Sequence, residues 1–254
     1  MSSLATSLVV FCCIFGSAVV GLLLRSRLPK EHLGAETKDV VTLVTGVVGA
    51  MTGIVLGLLV ASANASFDSQ RDGVAQLAAN IVVLDRALAH YGPETREIRG
   101  QLQSSVRDLI ERMWADEHSS AAQDDPQTGG TGQYEQVYDL VLALHPQTDP
   151  QRTTQAQALK LLHETAEMRW LLFSQRGNSI PRVFLILIVA WLAITFASFG
   201  LFAPRHATSL AVLILGSLVV SSAVFLILEL QHPFGGLIHI SSQPLQTALL
   251  QIGK

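Results

Sequence analysis

Four long stretches of the chain are apolar and carry no charged residue, at positions 4–24, 40–67, 183–203 and 208–228. A helix needs about 20 apolar residues to cross a bilayer, and each stretch is long enough. The pattern predicts four transmembrane helices in two hairpins, spanning about 4–24, 40–61, 183–203 and 208–228. The predicted fold class is an all-α integral membrane protein.

The region between the two hairpins has the polar and apolar spacing of amphipathic helices rather than the alternation of strands. No strong helix breaker follows the second span before Pro93, so we expect that helix to continue beyond the membrane to about His90. Positions 118–133 are polar, without an apolar period, and indicate a mobile loop.

These patterns divide the chain into four predicted parts. They are a transmembrane hairpin at 1–67, a helical soluble region at 68–180, a second hairpin at 181–229, and a tail at 230–254 that contains a Pro-Phe-Gly sequence and a short amphipathic helix.

Composition and motifs exclude several classes of function. Positions 68–176 hold 16 Asp and Glu against 10 Lys and Arg, a balance that argues against nucleic acid or anionic lipid as a partner of this region. The sequence has no nucleotide-binding loop, no nucleophile elbow and no pair of histidines at helical spacing. We therefore predict that the protein is not an enzyme and carries no cofactor and no metal.

The second span has a stripe of small residues, with Gly49, Gly53, Gly57 and Ala61 at every fourth position. Such a stripe lets helices in lipid pack closely, which is one interpretation. The other interpretation is that the stripe faces a central axis and lines a path for solutes, with nearby hydroxyl groups available to a passing ion. The candidate pore lining comprises Thr42, Thr45, Gly49, Thr52, Gly53, Gly57, Ala61 and Asn64.

Two short motifs resemble those of a known family. The second span runs into Asn64-Ala65-Ser66-Phe67, followed by Asp68, and the tail contains Pro233-Phe234-Gly235. Together with the order of spans, these motifs resemble the bestrophin-like family of membrane proteins. The resemblance implies a pentamer in the lipid bilayer around one anion-conducting pore, lined by the second span of each subunit.

The sequence departs from that family at the expected constriction. A gapless match places Gly53, Gly57 and Ala61 where bestrophins carry bulky apolar residues. Either the constriction is wider here, or the gate is formed by the neighbouring Ile54 and Leu58. The acidic cluster that binds calcium in animal bestrophins is absent after Gly235, so the resemblance implies no calcium site.

Two arguments about membrane sidedness disagree. Lys and Arg are concentrated in the short loop between the first two spans, which favours a cytoplasmic loop and an external middle region. The resemblance implies a cytoplasmic middle region in a protein of the inner, or cell, membrane. We favour the second prediction.

Two functions are consistent with these features. The first is an oligomeric channel for small anions such as chloride. The alternative is a non-conducting oligomeric scaffold or sensor whose soluble helices bind a partner.

Overall fold

The computed structural model describes residues 3–29, 34–114, 131–175, 182–204 and 206–253, and the described residues form helices and connecting turns without a strand. The elements are α1 (Ser3–Leu24), α2 (Ala35–Tyr91), a 310 turn (Pro93–Thr95), α3 (Arg96–Met113), α4 (Thr131–Leu142), α5 (Asp149–Gln175), α6 (Arg182–Phe202), α7 (Ala207–Leu230) and α8 (Gln243–Gln251). Four of them, α1, α2, α6 and α7, are long and apolar enough to cross a membrane. The prediction of an all-α protein with four spans is confirmed.

The chain packs into two compact units. The first, here called the membrane unit, comprises Met1–Ser66 and Ser179–Gln231. The second, here called the soluble unit, comprises Phe67–Asn178 and His232–Lys254. Helix α2 belongs to both, because its 57 residues continue from one unit into the other. At 1.5 Å per residue, α2 is about 85 Å long.

The membrane unit is held together by a close crossing of α1 and α6. A Cβ atom added to Gly21 would overlap the backbone of Ala197, and one added to Gly200 would overlap the backbone of Ala18. Small residues are needed there because the two helix backbones are in direct contact. Where α1 and α6 end, the Arg25 guanidinium donates a hydrogen bond to the Ala203 carbonyl.

An apolar cluster surrounds this crossing. Its buried members from α1, α6 and α7 are Val10, Ile14, Ala18, Ile188, Leu192, Phe196, Leu213 and Val224. Helix α2 joins the cluster through one face only, where Val55, Leu56 and Leu59 are partly buried. Among the described residues, the other faces of α2 in the membrane unit are largely exposed.

The soluble unit has a larger core, to which α2, α3, α4, α5 and α8 all contribute. Leu77, Ile81 and Leu84 of α2 are almost completely buried in it. The unit is also tied by a buried ion pair, in which Arg99 donates two hydrogen bonds of 2.8 Å to the carboxylate of Asp85. Gly92, with a φ of 147°, follows the end of α2 and allows the chain to turn towards α3.

One sequence-based boundary needs correction. The predicted loop at 118–133 lies outside the described residues as far as position 130. Its last part is helical, because α4 begins at Thr131. The apolar spacing of α4 starts at Tyr134, so the first turn of this helix has the polar composition of a loop.

Candidate pore-lining face of the second helix

The small-residue stripe of α2 lies on the surface of the membrane unit. A Cβ atom added to Gly53 or Gly57 would meet no other atom within 4 Å, and one added to Gly49 would only touch the Thr195 methyl group at 3.9 Å. Ala61 and Asn64 are exposed on the same side of the helix. The stripe is therefore not used for close packing between the described helices of one subunit.

Two of the candidate threonines lie on a different face. Thr45 and Thr52 are only 6% and 2% exposed, on the side of α2 that packs into the membrane unit. Their hydroxyl groups donate hydrogen bonds to the carbonyls of Val41 and Val48, one turn earlier. This intrahelical bonding is common for threonine and leaves these hydroxyls unavailable to a solute on the stripe.

Thr42 is exposed near the start of α2. It borders a cavity of about 200 Å³ between α2 and α6, which Thr45, Ser198 and Phe199 also line. The cavity lies beside the buried face of α2 rather than on the glycine stripe. Thr42 points in nearly the same direction as Gly53, because the eleven residues between them make about three helical turns, but it lies near the other end of the stripe.

A ridge of large apolar side chains runs beside the stripe. Ile54 and Leu58 are 66% and 65% exposed and belong to this ridge. Its members are Val40, Val44, Val47, Met51, Ile54 and Leu58, which are all more than half exposed. Their alternating steps of four and three residues form a heptad pattern, which is typical of helices that pack against copies of themselves. That spacing is present in the sequence, beside the more regular repeat of the glycines.

The motif residues are divided between the two units. Asn64, Ala65 and Ser66 are exposed at the end of the membrane unit, whereas Phe67 packs against the core of the soluble unit. Phe234 packs on the same core, with its ring 5.4 Å from that of Trp114 in an edge-to-face arrangement.

The turn around Pro233-Phe234-Gly235 is fixed by hydrogen bonds. The Ile240 amide donates to the Pro233 carbonyl at 2.6 Å, and the Gly235 amide donates to the His232 carbonyl at 3.1 Å. The Trp114 indole donates to the Ile240 carbonyl at 2.7 Å. The tail motif therefore has a structural role in attaching the tail to α3.

The uncovered face of α2 in the membrane unit carries no charge between Val40 and Phe67. Glu229, near the end of α7, is the one carboxylate that is buried in the described part of that unit, with 3% exposure. Among the described residues, no group of three or more His, Cys, Asp or Glu side chains could hold a metal ion.

These features define a helical membrane protein in which one long helix joins a four-helix membrane unit to a helical soluble unit. The Bestrophin-like domain family matches residues 12–245. The chain therefore belongs to the bestrophin-like family, as its two motifs suggested.

Solved structures with the same fold include a bacterial bestrophin homologue from Klebsiella pneumoniae. It is 16% identical, with 94% of this chain and 96% of that chain covered and a TM-score of 0.68. A point mutant of that homologue aligns over 96% of both chains with 16% identity and a TM-score of 0.71. At this level of identity the similarity establishes a shared fold. A comparison with curated protein sequences gave no significant match.

Proposed function

We propose that this protein is an oligomeric membrane channel that conducts small anions such as chloride, with α2 lining the pore. The observation that carries the proposal is the uncovered face of α2, on which Gly53 and Gly57 border open space at the surface of the subunit. A face that one subunit leaves open can be shared by several subunits around an axis. The family resemblance supports a pentamer.

The proposed lining follows the stripe through Gly53, Gly57, Ala61 and Asn64. Glycine and alanine leave a wide path and expose the helix backbone, because they place no bulk towards the axis. The adjoining Ile54 and Leu58 would form apolar rings, and an apolar constriction can close a pore by expelling water. Thr45 and Thr52 are excluded from this lining because they are buried on the other face.

Anion selectivity is the finer part of the proposal. The uncovered face between Val40 and Phe67 has no carboxylate that would attract cations. The resemblance to bestrophins favours chloride. The reversal potential of the current in a chloride gradient measures selectivity. A reversal potential at the equilibrium potential of the cation would contradict anion selectivity.

Reconstitution of the purified chain into planar bilayers tests conduction. We expect Gly57→Leu to abolish the current, because the added side chains would fill the path, while the oligomer stays intact. Gly16→Leu is the matched control, since Gly16 lies in α1 and also has no neighbour within 4 Å of an added Cβ atom. The absence of current from the wild-type protein at either polarity would overturn the proposal.

A second candidate function is a non-conducting oligomeric scaffold or sensor. It is favoured by exposed apolar side chains on the soluble helices, among them Leu142 of α4 and Trp170 of α5, at 57% and 54% exposure. A partner protein could cover them. Loss of partner capture in Leu142→Glu, without any measurable current in the wild-type protein, would favour this function.

Stoichiometry and sidedness complete the proposal. We propose a pentamer in the inner membrane with the soluble unit on the cytoplasmic side. Particle symmetry in detergent measures the first property. A compartment-specific reporter inserted between positions 118 and 130 measures sidedness. Activity of a reporter that works only in the periplasm would contradict a cytoplasmic soluble unit.

A further inference from the structure

Two cavities lie on either side of one turn of α6 in the membrane unit. The first has a volume of about 200 Å³ and lies between α2 and α6. The second has a volume of about 340 Å³ and lies between α6 and α7. Phe199 and Ala203, which are about one helical turn apart, line both of them. The two cavities therefore flank the same part of α6.

Both cavities are close to the ends of the charge-free stretches. Asp39 directly precedes the charge-free stretch of α2, and that of α6 ends at Ala203. Thr45 in α2 and Ser198 in α6 are the lining residues farthest from these two positions, and both lie within about 9 Å of them along their helices. This depth is close to the boundary between the hydrocarbon core and the headgroup layer of a bilayer.

The lining of the two cavities combines apolar side chains with hydroxyl groups. The apolar side chains are those of Val41, Phe199, Phe202, Val212 and Leu213. The hydroxyl groups are those of Thr42, Thr45, Ser198, Thr208 and Ser209. Polar groups that are removed from water need hydrogen-bond partners. An occupant that has both ester groups and hydrocarbon chains, as a phospholipid does, matches this lining.

A positive charge is fixed at the edge of both cavities. The Arg25 guanidinium donates a hydrogen bond to the carbonyl of Ala203, the residue that the two cavities share. A guanidinium group has five N–H donors, so the same side chain can also bind a phosphate oxygen. Arg25 is partly buried at the end of α1, where salt screens a charge less than at an exposed site. Basic pockets between transmembrane helices are suited to anionic lipid headgroups.

We propose that each subunit binds one anionic phospholipid here, with the lipid phosphate at Arg25 and the two acyl chains in the two cavities. The attraction is local, because the acidic Glu36 and Asp39 at the start of α2 offset much of the positive charge of the preceding loop. The site lies in the membrane unit, so the acidic balance of positions 68–176 does not oppose it. Binding does not require that the protein conducts ions.

Thermal unfolding of the full chain in mild detergent tests the headgroup. The delipidated protein is titrated with dioleoylphosphatidylglycerol or dioleoylphosphatidylcholine, which have the same acyl chains and differ in net charge. Lipid that binds the folded state alone raises the Tm as its concentration passes the Kd. We expect a saturable rise of several degrees, which phosphatidylglycerol produces at a several-fold lower concentration. Equal responses to the two lipids would overturn the proposal.

Arg25→Gln removes the charge at the site and keeps an N–H donor for the Ala203 carbonyl. We expect this variant to respond equally to the two lipids, whatever its Tm without lipid. Arg27→Gln is the matched control, because Arg27 is an exposed arginine of the same loop. It should keep the preference for phosphatidylglycerol. The proposal is refuted if the preference survives in Arg25→Gln, or if Arg27→Gln loses it to the same extent.

Ser198→Phe tests whether the acyl chains occupy the cavities, because the added ring would fill the space between α2 and α6. We expect this variant to need several-fold more of either lipid for the same rise in Tm, and to lose the phospholipid that native mass spectrometry detects on the wild type. Ser222→Phe is the control, since Ser222 is an exposed residue of α7 that lines neither cavity. An unchanged lipid response in Ser198→Phe would refute the site. A wild type without phospholipid, together with a smaller oligomer in Ser198→Phe, would instead assign the cavities to a neighbouring subunit and would also refute it.

Discussion

The two halves of α2 form one continuous helix, but other helices cover them to different extents. In the soluble unit, its apolar side chains are enclosed by α3, α4, α5 and α8, and Leu84 is completely buried. In the membrane unit, only one face is covered, and Leu58 remains 65% exposed. A leucine in the soluble half, such as Leu84, therefore stabilises the subunit by its burial. A leucine in the membrane half, such as Leu58, is instead available to lipid or to another subunit.

Leucine truncation in the two halves should give the largest difference. Leu84→Ala removes buried methyl groups and leaves a cavity, which costs about 2–5 kcal/mol of unfolding free energy. Leu58→Ala should change stability by less than about 0.5 kcal/mol, since exposed substitutions have small effects. Thermal unfolding in detergent measures both. A similar loss of Tm in the two variants would show that Leu58 is covered by protein, within the subunit or by a neighbouring one.

The same pair sharpens the proposed gate. If Leu58 narrows the pore, Leu58→Ala should increase the single-channel current, because a bulky apolar ring becomes a ring of methyl groups. An unchanged current would place the constriction at the stripe of Gly53 and Gly57 instead.

Glycine substitution gives a second, smaller contrast. A Cβ atom added to Gly73, in the soluble half, would lie 3.1 Å from the Cδ2 atom of Leu172. Gly73→Leu should therefore overpack the core and cost about 1–3 kcal/mol. Gly57→Leu has open space and should keep the wild-type Tm. A large loss of stability for Gly57→Leu would mean that the stripe packs tightly against another helix.

The soluble unit should also respond to alkaline pH. Burial raises the pKa of Tyr134, and the Thr165 hydroxyl and the charge of Arg169 oppose this only in part. Tyrosine in the unfolded chain ionises near pH 10, so the stability that Tyr134 contributes is complete below that pH and is lost as pH rises above it. We expect Tyr134→Phe to show a smaller fall in Tm between pH 8 and pH 11. An equal fall would assign the pH dependence to other groups.

The smallest effect is expected at Thr52. Because its hydroxyl is buried and bonded to its own helix, Thr52→Val should leave the current unchanged and cost about 1 kcal/mol or less. Thr42→Val is the matched substitution at an exposed threonine of the same helix. A change of current in Thr52→Val would mean that α2 is rotated in the assembled protein.

The sequence was sufficient to predict the four spans and the length of α2, because charge-free stretches and helical spacing are local properties. It was also sufficient for the family, through Asn64-Ala65-Ser66 and Pro233-Phe234-Gly235. Helical geometry alone places Gly53 and Thr52 about 100° apart, but it did not show that Thr52 faces the buried side and Gly53 the open side. Which face is covered depends on packing against helices such as α6, which is distant in sequence.

The close packing that the glycines of α2 suggested lies elsewhere in the membrane unit. Gly21 and Gly200 are isolated in the sequence, without a repeat that would mark them. Their role becomes visible only once α1 and α6 are paired, because each glycine faces the backbone of the other helix. Tertiary pairing of this kind is not encoded in local spacing.

The crossing of α1 and α6 sets an order of events during biosynthesis. The Arg25 side chain bonds to Ala203, a residue 178 positions later. At a synthesis rate of 5–20 residues per second, that separation corresponds to roughly 10–35 s. During this interval the first hairpin lies in the bilayer without its partner helix, so chaperones or insertion factors have time to act on α1 before α6 arrives.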